Sequence, residues 1–354
     1  MASPDPSPLA MGRYHGDQAA APGMLDFAVN VRHSRPPQWL TERLAARLPD
    51  LARYPSIDDV HRAQDAAAAR HGRAREEVLP LAGAAEGFAL LPNLLPTLAA
   101  IIAPAFTEPA VALSAAGVPV HHVVLEPPFG LDGALEAGRV PPDADLVVVG
   151  NPTNPTSVLH RRAQLLALRR PGRILVVDEA FADSIPGEPE SLAAEPLPDV
   201  LVLRSLTKSW ALAGLRVGYA LGVPELLARL TSRRAHWPVG TLQLTAIAAC
   251  CAADAVAAAA GDAARLVRLR AEMADGLAAL GAEVVDGAAP FLLFRSPDAV
   301  LIRNHLRDKG IAVRRCDTFV GLDEQYLRVA VRPEWPLLVQ AIAQCVPVSH
   351  GRRR

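Results

Sequence analysis

The chain has 354 residues, 51 % of them hydrophobic and 21 % charged, with a formal net charge of −1. This composition suits a soluble globular chain with a full core, in two domains or one large one. The even charge gives no reason to expect nucleic acid or a membrane surface as a partner.

The opening "MASPDPSPLAMGRYHG" is rich in Pro and Ser and has no basic-then-apolar pattern. It is not read as a signal peptide, and low hydrophobicity predicts a disordered lead over 1–12. Residues 13–55 form the N-terminal part of a small domain, with a helix over "WLTERLAARL" (39–48) from its apolar spacing. The next helix starts at Ser56, a good N-cap before Asp58 and Asp59, and stops at Gly72. "EVLPLAGAAEGFALLPNLL" (77–95) reads as a strand, a turn at Gly83 and a helix.

From there apolar strands and helices alternate. The strands are "LAAIIAPAF", "VPVHHVVL", "ADLVVVGNPTNPTS", "ILVVDEAF", "DVLVLRSLTKSWAL" and "LRVGYALG". Continuous apolar strands between helices indicate a mostly parallel sheet buried on both faces, so 56–255 reads as a large α/β domain. Polar residues collect just after the strand ends, where open α/β sheets place their sites. An Ala-rich helical stretch (241–280) leads into an α+β set over 256–346 that completes the small domain. The basic tail, 347–354, reads as a solvated end. No apolar run reaches the roughly 18 residues a membrane-spanning helix needs. The four cysteines, Cys250, Cys251, Cys316 and Cys345, lack C-x-x-C spacing and a nearby histidine pair. That argues against a zinc site or a disulfide framework and for a reducing, cytoplasmic setting.

Within "RSLTKSWALAGLRVGY" (204–219) one lysine, Lys208, stands among small and apolar residues. Alone, a strand-end lysine is a solvated charge. Here Ser205 and Thr207 offer hydroxyls, and Arg216 offers a rigid fork suited to phosphate. A desolvated lysine beside a cation has a lowered pKa and attacks carbonyls, which is what a pyridoxal phosphate lysine needs. Asp178 ends the apolar strand "VVDEAF". It can cap a helix, or pair with a pyridinium nitrogen and keep the ring an electron sink. Asn154 in "NPTNPTS" is either a turn residue or a donor to a cofactor oxygen. The "AGAAEG" turn (82–87) leaves backbone N–H groups free for an anion.

Lys208, Arg216, Asp178 and Asn154, with S-x-x-K-x-x-x-L-A-G-L-R-x-G, N-P-T and D-E-A, resemble the fold-type-I pyridoxal phosphate enzymes. The branch is the histidinol-phosphate aminotransferase-like group, close to the threonine-phosphate decarboxylases and aminotransferases of cobalamin biosynthesis. "RYHGD…DFAVNV" is similar to the opening of those decarboxylases. The resemblance implies an α/β fold, with a mostly parallel seven-stranded sheet and a smaller α+β domain, and pyridoxal 5'-phosphate as cofactor. It makes Lys208 the Schiff-base lysine and proton shuttle, Asp178 the partner of the ring nitrogen and Asn154 that of the ring hydroxyl. Ser205, Arg216 and the backbone of Ala84, Ala85 and Glu86 hold the phosphate, and Phe106 stacks on the ring. Tyr54 reaches the phosphate of a neighbouring subunit, which implies a homodimer. Arg328 grips a substrate carboxylate, and Asn30 lies on the substrate side.

The chain departs from the pattern at Ser157, where glycine is usual, and at Phe181, where many relatives have tyrosine. Loss of that phenol should raise the cofactor–lysine pKa. "HGD" places Asp17 where a second glycine is usual. The reading is an aminotransferase for an amino acid or amino-acid phosphate, connected with cobalamin synthesis. The alternative is decarboxylation of threonine phosphate. A non-catalytic pyridoxal-binding regulator is remote, since the lysine is present and no DNA-binding domain is seen.

Overall fold

The fold is described from a computed structural model, in which residues 16–345 are described. The lead over 1–12 and the tail over 347–354 lie outside those residues.

Thirteen strands are present among the described residues. They are β1 (Leu25–Asp26), β2 (Val78–Leu81), β3 (Ala99–Ala103), β4 (Val120–Val124), β5 (Leu146–Gly150), β6 (Ile174–Asp178), β7 (Val200–Ser205), β8 (Gly218–Leu221), β9 (Glu283–Val284), β10 (Phe291–Arg295), β11 (Ile311–Ala312), β12 (Arg314–Arg315) and β13 (Tyr326–Ala330). Seven form one sheet in the order β2-β8-β7-β6-β5-β3-β4. The pairs from β7 through β4 are parallel, and β8 runs antiparallel to both β7 and β2. Every residue of β3, β7 and β8 is buried, as expected for strands covered on both faces.

The helix Ile57–His71 carries the capping box anticipated at Ser56, with Asp59 as its partner, and ends at Gly72 with φ of 63°. The Ala-rich stretch is two helices, Thr241–Cys250 and Ala253–Ala278, with a 69° bend between them. Among the described residues no single helix is long and apolar enough to cross a membrane.

The described part of the 13–55 segment, from residue 16, contributes to both halves of the molecule. β1 pairs in parallel with β11, and Phe27 packs with Leu266, Leu292 and Ile302. Leu40, in the helix Gln38–Ala45, packs instead with Ala63, Val78 and Leu244 beside the large sheet. A second sheet, β12-β13-β10-β9, lies in the C-terminal part.

Candidate active site

Parallel register places the polar strand ends side by side. Gly150 of β5 pairs with Asp178 of β6, and Asp178 pairs with Leu203 of β7. Asn154 follows four residues after Gly150, and Lys208 three after Ser205. All therefore emerge at the carboxyl edge of the sheet. They line one cavity of about 430 Å³, together with Ala84, Ala85, Phe106, Arg216, Phe181, Arg328 and Asn30. Eleven of the thirteen residues expected in the site meet there.

The floor is set by the amine and the carboxylate. Lys208 Nζ lies 6.0 Å from the centre of the Phe181 ring. Burial brings the lysine down from 10.5 to about 8, aided by Arg328 and Arg216 and opposed by Asp178. Burial pushes Asp178 up from 3.8 to about 6, against the Ala180 N–H at 3.1 Å and the nearby Lys208.

At one end, Ser205 and the start of the helix Ala84–Leu90 line the cavity together with Arg216. Gly83 has φ of 82°, and a Cβ there would stand 3.1 Å from the Arg216 guanidinium. Glycine thus lets the turn and the guanidinium approach. Glu86 is placed differently from expectation. Its N–H donates to the Gly83 carbonyl, and its carboxylate accepts from the Ala82 N–H and from Arg234, so it does not line the cavity.

At the other end, buried Arg328 donates to Asn154 Oδ1 and, at 2.7 Å, to the Ala28 carbonyl. Its guanidinium lies 5.2 Å from the centre of the Phe291 ring. Burial brings it down to about 9, with Arg314 lowering it further. Asn30 is 6 % exposed, and its Oδ1 has no hydrogen-bond partner.

Arg314 and Phe319 also line the cavity, and sequence reasoning missed both. Arg314 sits directly opposite Arg328 in the β12–β13 pair, so the two side chains share a face. The available signal was "AVRRC", two arginines in an apolar strand. Tyr54 is 72 % exposed and stacks on Trp237 with ring centres 4.3 Å apart, away from the cavity of its own chain.

Residues 22–337 match the family described as aminotransferase class I and II. The chain belongs to that family. It is 75 % identical over 354 residues to a Mycobacterium bovis protein named as a histidinol-phosphate aminotransferase, covering 100 % of this chain and 96 % of that one. It is 33 % identical over 326 residues to the threonine-phosphate decarboxylase of Salmonella typhimurium, covering 87 % of each. The fold matches that of a histidinol-phosphate aminotransferase from Sinorhizobium meliloti solved with pyridoxal 5'-phosphate, with a TM-score of 0.80, 19 % identity and 98 % of each chain covered.

Pyridoxal 5'-phosphate is the cofactor of this aminotransferase family, and the cavity fits it. A buried amine with a lowered pKa suits an aldehyde, a buried carboxylate suits a cationic ring nitrogen, and a glycine turn beside a guanidinium suits a phosphate.

Proposed function

We propose that this aminotransferase takes its amino group from a phosphorylated amine or amino acid, with histidinol phosphate the first donor to test. The observation that carries the reading is the Arg314–Arg328 pair. Two guanidinium groups directly opposite each other repel and destabilise a sheet. Their joint approach to one cavity is explained by an anionic substrate group lying between them. Arg216, at the other end, is left for the cofactor phosphate. The M. bovis relative's name supports the same donor.

Bound pyridoxal phosphate supplies an aldehyde for the amine and a ring that accepts electrons. Lys208 Nζ, with its pKa near 8, is partly unprotonated at neutral pH; it would hold the cofactor's aldehyde and, once the substrate amine has displaced it, would be free to take and return the proton at the substrate Cα. Asp178 would keep a proton on the ring nitrogen. Asn154 would hold the ring hydroxyl, Ser205, Arg216 and the N–H groups of Ala84 and Ala85 would hold the phosphate, and Phe106 would shield the ring from water. Asn30 Oδ1 offers an unused acceptor to the substrate.

A second reading is decarboxylation of threonine phosphate, the chemistry of cobalamin side-chain synthesis. It is favoured by the S. typhimurium relative and by Phe181, which lacks the hydroxyl that tyrosine supplies in many relatives. Tyr54 and Trp237, with exposed Leu48, Leu51 and Ile57, form an apolar patch suited to a second copy of the chain. We assign the protein to a cytoplasmic homodimer on that patch and on its cysteine usage.

The deciding experiment supplies the holoenzyme with histidinol phosphate plus 2-oxoglutarate, and separately with threonine phosphate. Glutamate release from the first mixture supports the transferase. Carbon dioxide from the second, without glutamate from the first, replaces it with the lyase. Arg314→Ala should raise KM for histidinol phosphate far more than for histidinol, and an equal change in both would remove Arg314 from the substrate's phosphate.

A further inference from the structure

Position 157 ends the loop that carries Asn154, and glycine is the residue expected there. Ser157 has φ of 69°, a backbone region that a side chain disfavours. It is also fully buried. A serine kept in this conformation needs a compensating contact, and the contact lies across the seam between the two halves of the molecule. The Ala289 N–H donates to Ser157 Oγ at 2.9 Å, and the Ala288 N–H donates to the Ser157 carbonyl at 2.8 Å. The Ser157 N–H itself donates to the Thr153 carbonyl at 2.7 Å. The approach is close enough that a Cβ on Gly287 would stand 2.4 Å from the Ser157 carbonyl oxygen.

Just beyond Ala289 in the chain lies the platform under the substrate arginine. Phe291 opens β10, which pairs with β13, and Leu293 stands opposite Arg328. The Phe291 ring packs edge-on against Phe181 at 5.0 Å and lies beneath the Arg328 guanidinium. On the other side of the seam, Asn154 accepts from that same guanidinium. Ser157 therefore ties the loop bearing Arg328's hydrogen-bond partner to the strand bearing its ring platform.

We propose that Ser157 is a positioning residue, whose hydroxyl fastens the 287–291 strand entry to the Asn154 loop and holds Arg328 in its binding position before substrate arrives. The proposal rests on the reading that Arg328 takes a substrate anion. The interaction is pre-formed, so its loss weakens substrate binding more than the chemical step.

The test compares holoenzyme carrying Ser157→Ala, Ser157→Gly and Arg328→Ala, with histidinol phosphate and 2-oxoglutarate as substrates. Ser157→Ala removes the hydroxyl and keeps the disfavoured backbone, whereas Ser157→Gly removes the hydroxyl and relieves the backbone. The loss of one hydrogen bond should raise KM about 2–10-fold in both, with kcat within about twofold. The visible absorbance of bound cofactor should be unchanged, and amide exchange at Ala289 should accelerate. A purely structural serine would lower the melting temperature of the Ala variant, regain it in the Gly variant and leave KM unmoved in both. Unchanged KM in the Ser157 variants beside a raised KM in Arg328→Ala overturns the proposal alone. Unchanged KM in Arg328→Ala overturns the anion reading itself. If Ser157→Ala fails to fold, Ser157→Gly carries the test.

Discussion

Asp178 makes the protein less stable without its cofactor, and the size of that effect follows from the structure. Burial raises its carboxyl from 3.8 to about 6 even after the Ala180 N–H and Lys208 have drawn it down. At 1.36 kcal/mol per pH unit, keeping it ionised costs the folded apoprotein up to about 3 kcal/mol at neutral pH. Asp178 lines the cavity, and water there screens its charge, which reduces the expected cost to about 1–3 kcal/mol. Asp178→Asn removes the charge and keeps an oxygen to accept the Ala180 N–H. The apo variant should therefore be more stable than the apo parent at pH 7.5, while binding cofactor more weakly and losing turnover. The sign is fixed by linkage. The folded group holds its proton more tightly than the unfolded one, so Asp178's own contribution falls as pH rises from about 4 to about 6 and stays level above, while buried His71 and His160 contribute equally to parent and variant. The gap between variant and parent should thus open across that window. Urea unfolding of both apoproteins at pH 4, 5, 6 and 7.5 measures it. An Asp178→Asn apoprotein no more stable than the parent at pH 7.5, or a gap equally large at pH 4, would refute the argument.

Further outcomes are expected elsewhere in the site and beneath it. Borohydride treatment of the holoenzyme should leave a mass adduct on Lys208 that is absent in Lys208→Ala; an undiminished adduct removes the lysine from its role. Arg204 is 1 % exposed and bridges Glu179, Asp183 and Glu188, so Arg204→Met leaves fully buried Glu179 without an ion-pair partner, while Asp183 and Glu188 keep Arg70. Its unfolding free energy should fall by about 3–5 kcal/mol, and a loss below about 1 kcal/mol would show that the cluster carries no such stake. Replacing Tyr54 and Trp237 together with serine should shift the protein toward monomer in sedimentation, and an undisturbed dimer places the interface elsewhere.

Much of this site was readable because its signals are local. The Ser56 cap and the Gly72 stop bound a helix within one short stretch, and the structure begins and ends the helix there. Asp178, Ser205 and Lys208 lie at or just beyond the ends of apolar strands, and a parallel sheet brings strand ends together regardless of strand order. The order itself was not readable. β4 lies at the edge beyond β3, and β5 lies inside it, because crossover connections decide neighbours. The placement of Glu86 was missed for a local reason of another kind: its N–H is spent on the Gly83 carbonyl inside the first helical turn.

Arg314 was missed for a third reason, since "AVRRC" does not show which arginine faces inward. Its strand spans only Arg314 and Arg315, too short for a period to show which side chain faces inward. Only the pairing with β13 settles it, by setting Arg314 against Arg328. The pairing is unfavourable in isolation, because like charges across a sheet repel. Both side chains are nevertheless buried, Arg314 at 2 % and Arg328 at 5 % exposed. Arg314 is held in place by donating to the Arg315 carbonyl and to Thr318, and it lies over the Phe319 ring. A contact network that keeps two repelling guanidinium groups together at one cavity is a local rule broken at a site, which is where function overrides stability. The lysine stretch identifies the cofactor, and the proposed choice of an anionic substrate rests on this pair, far from it in sequence.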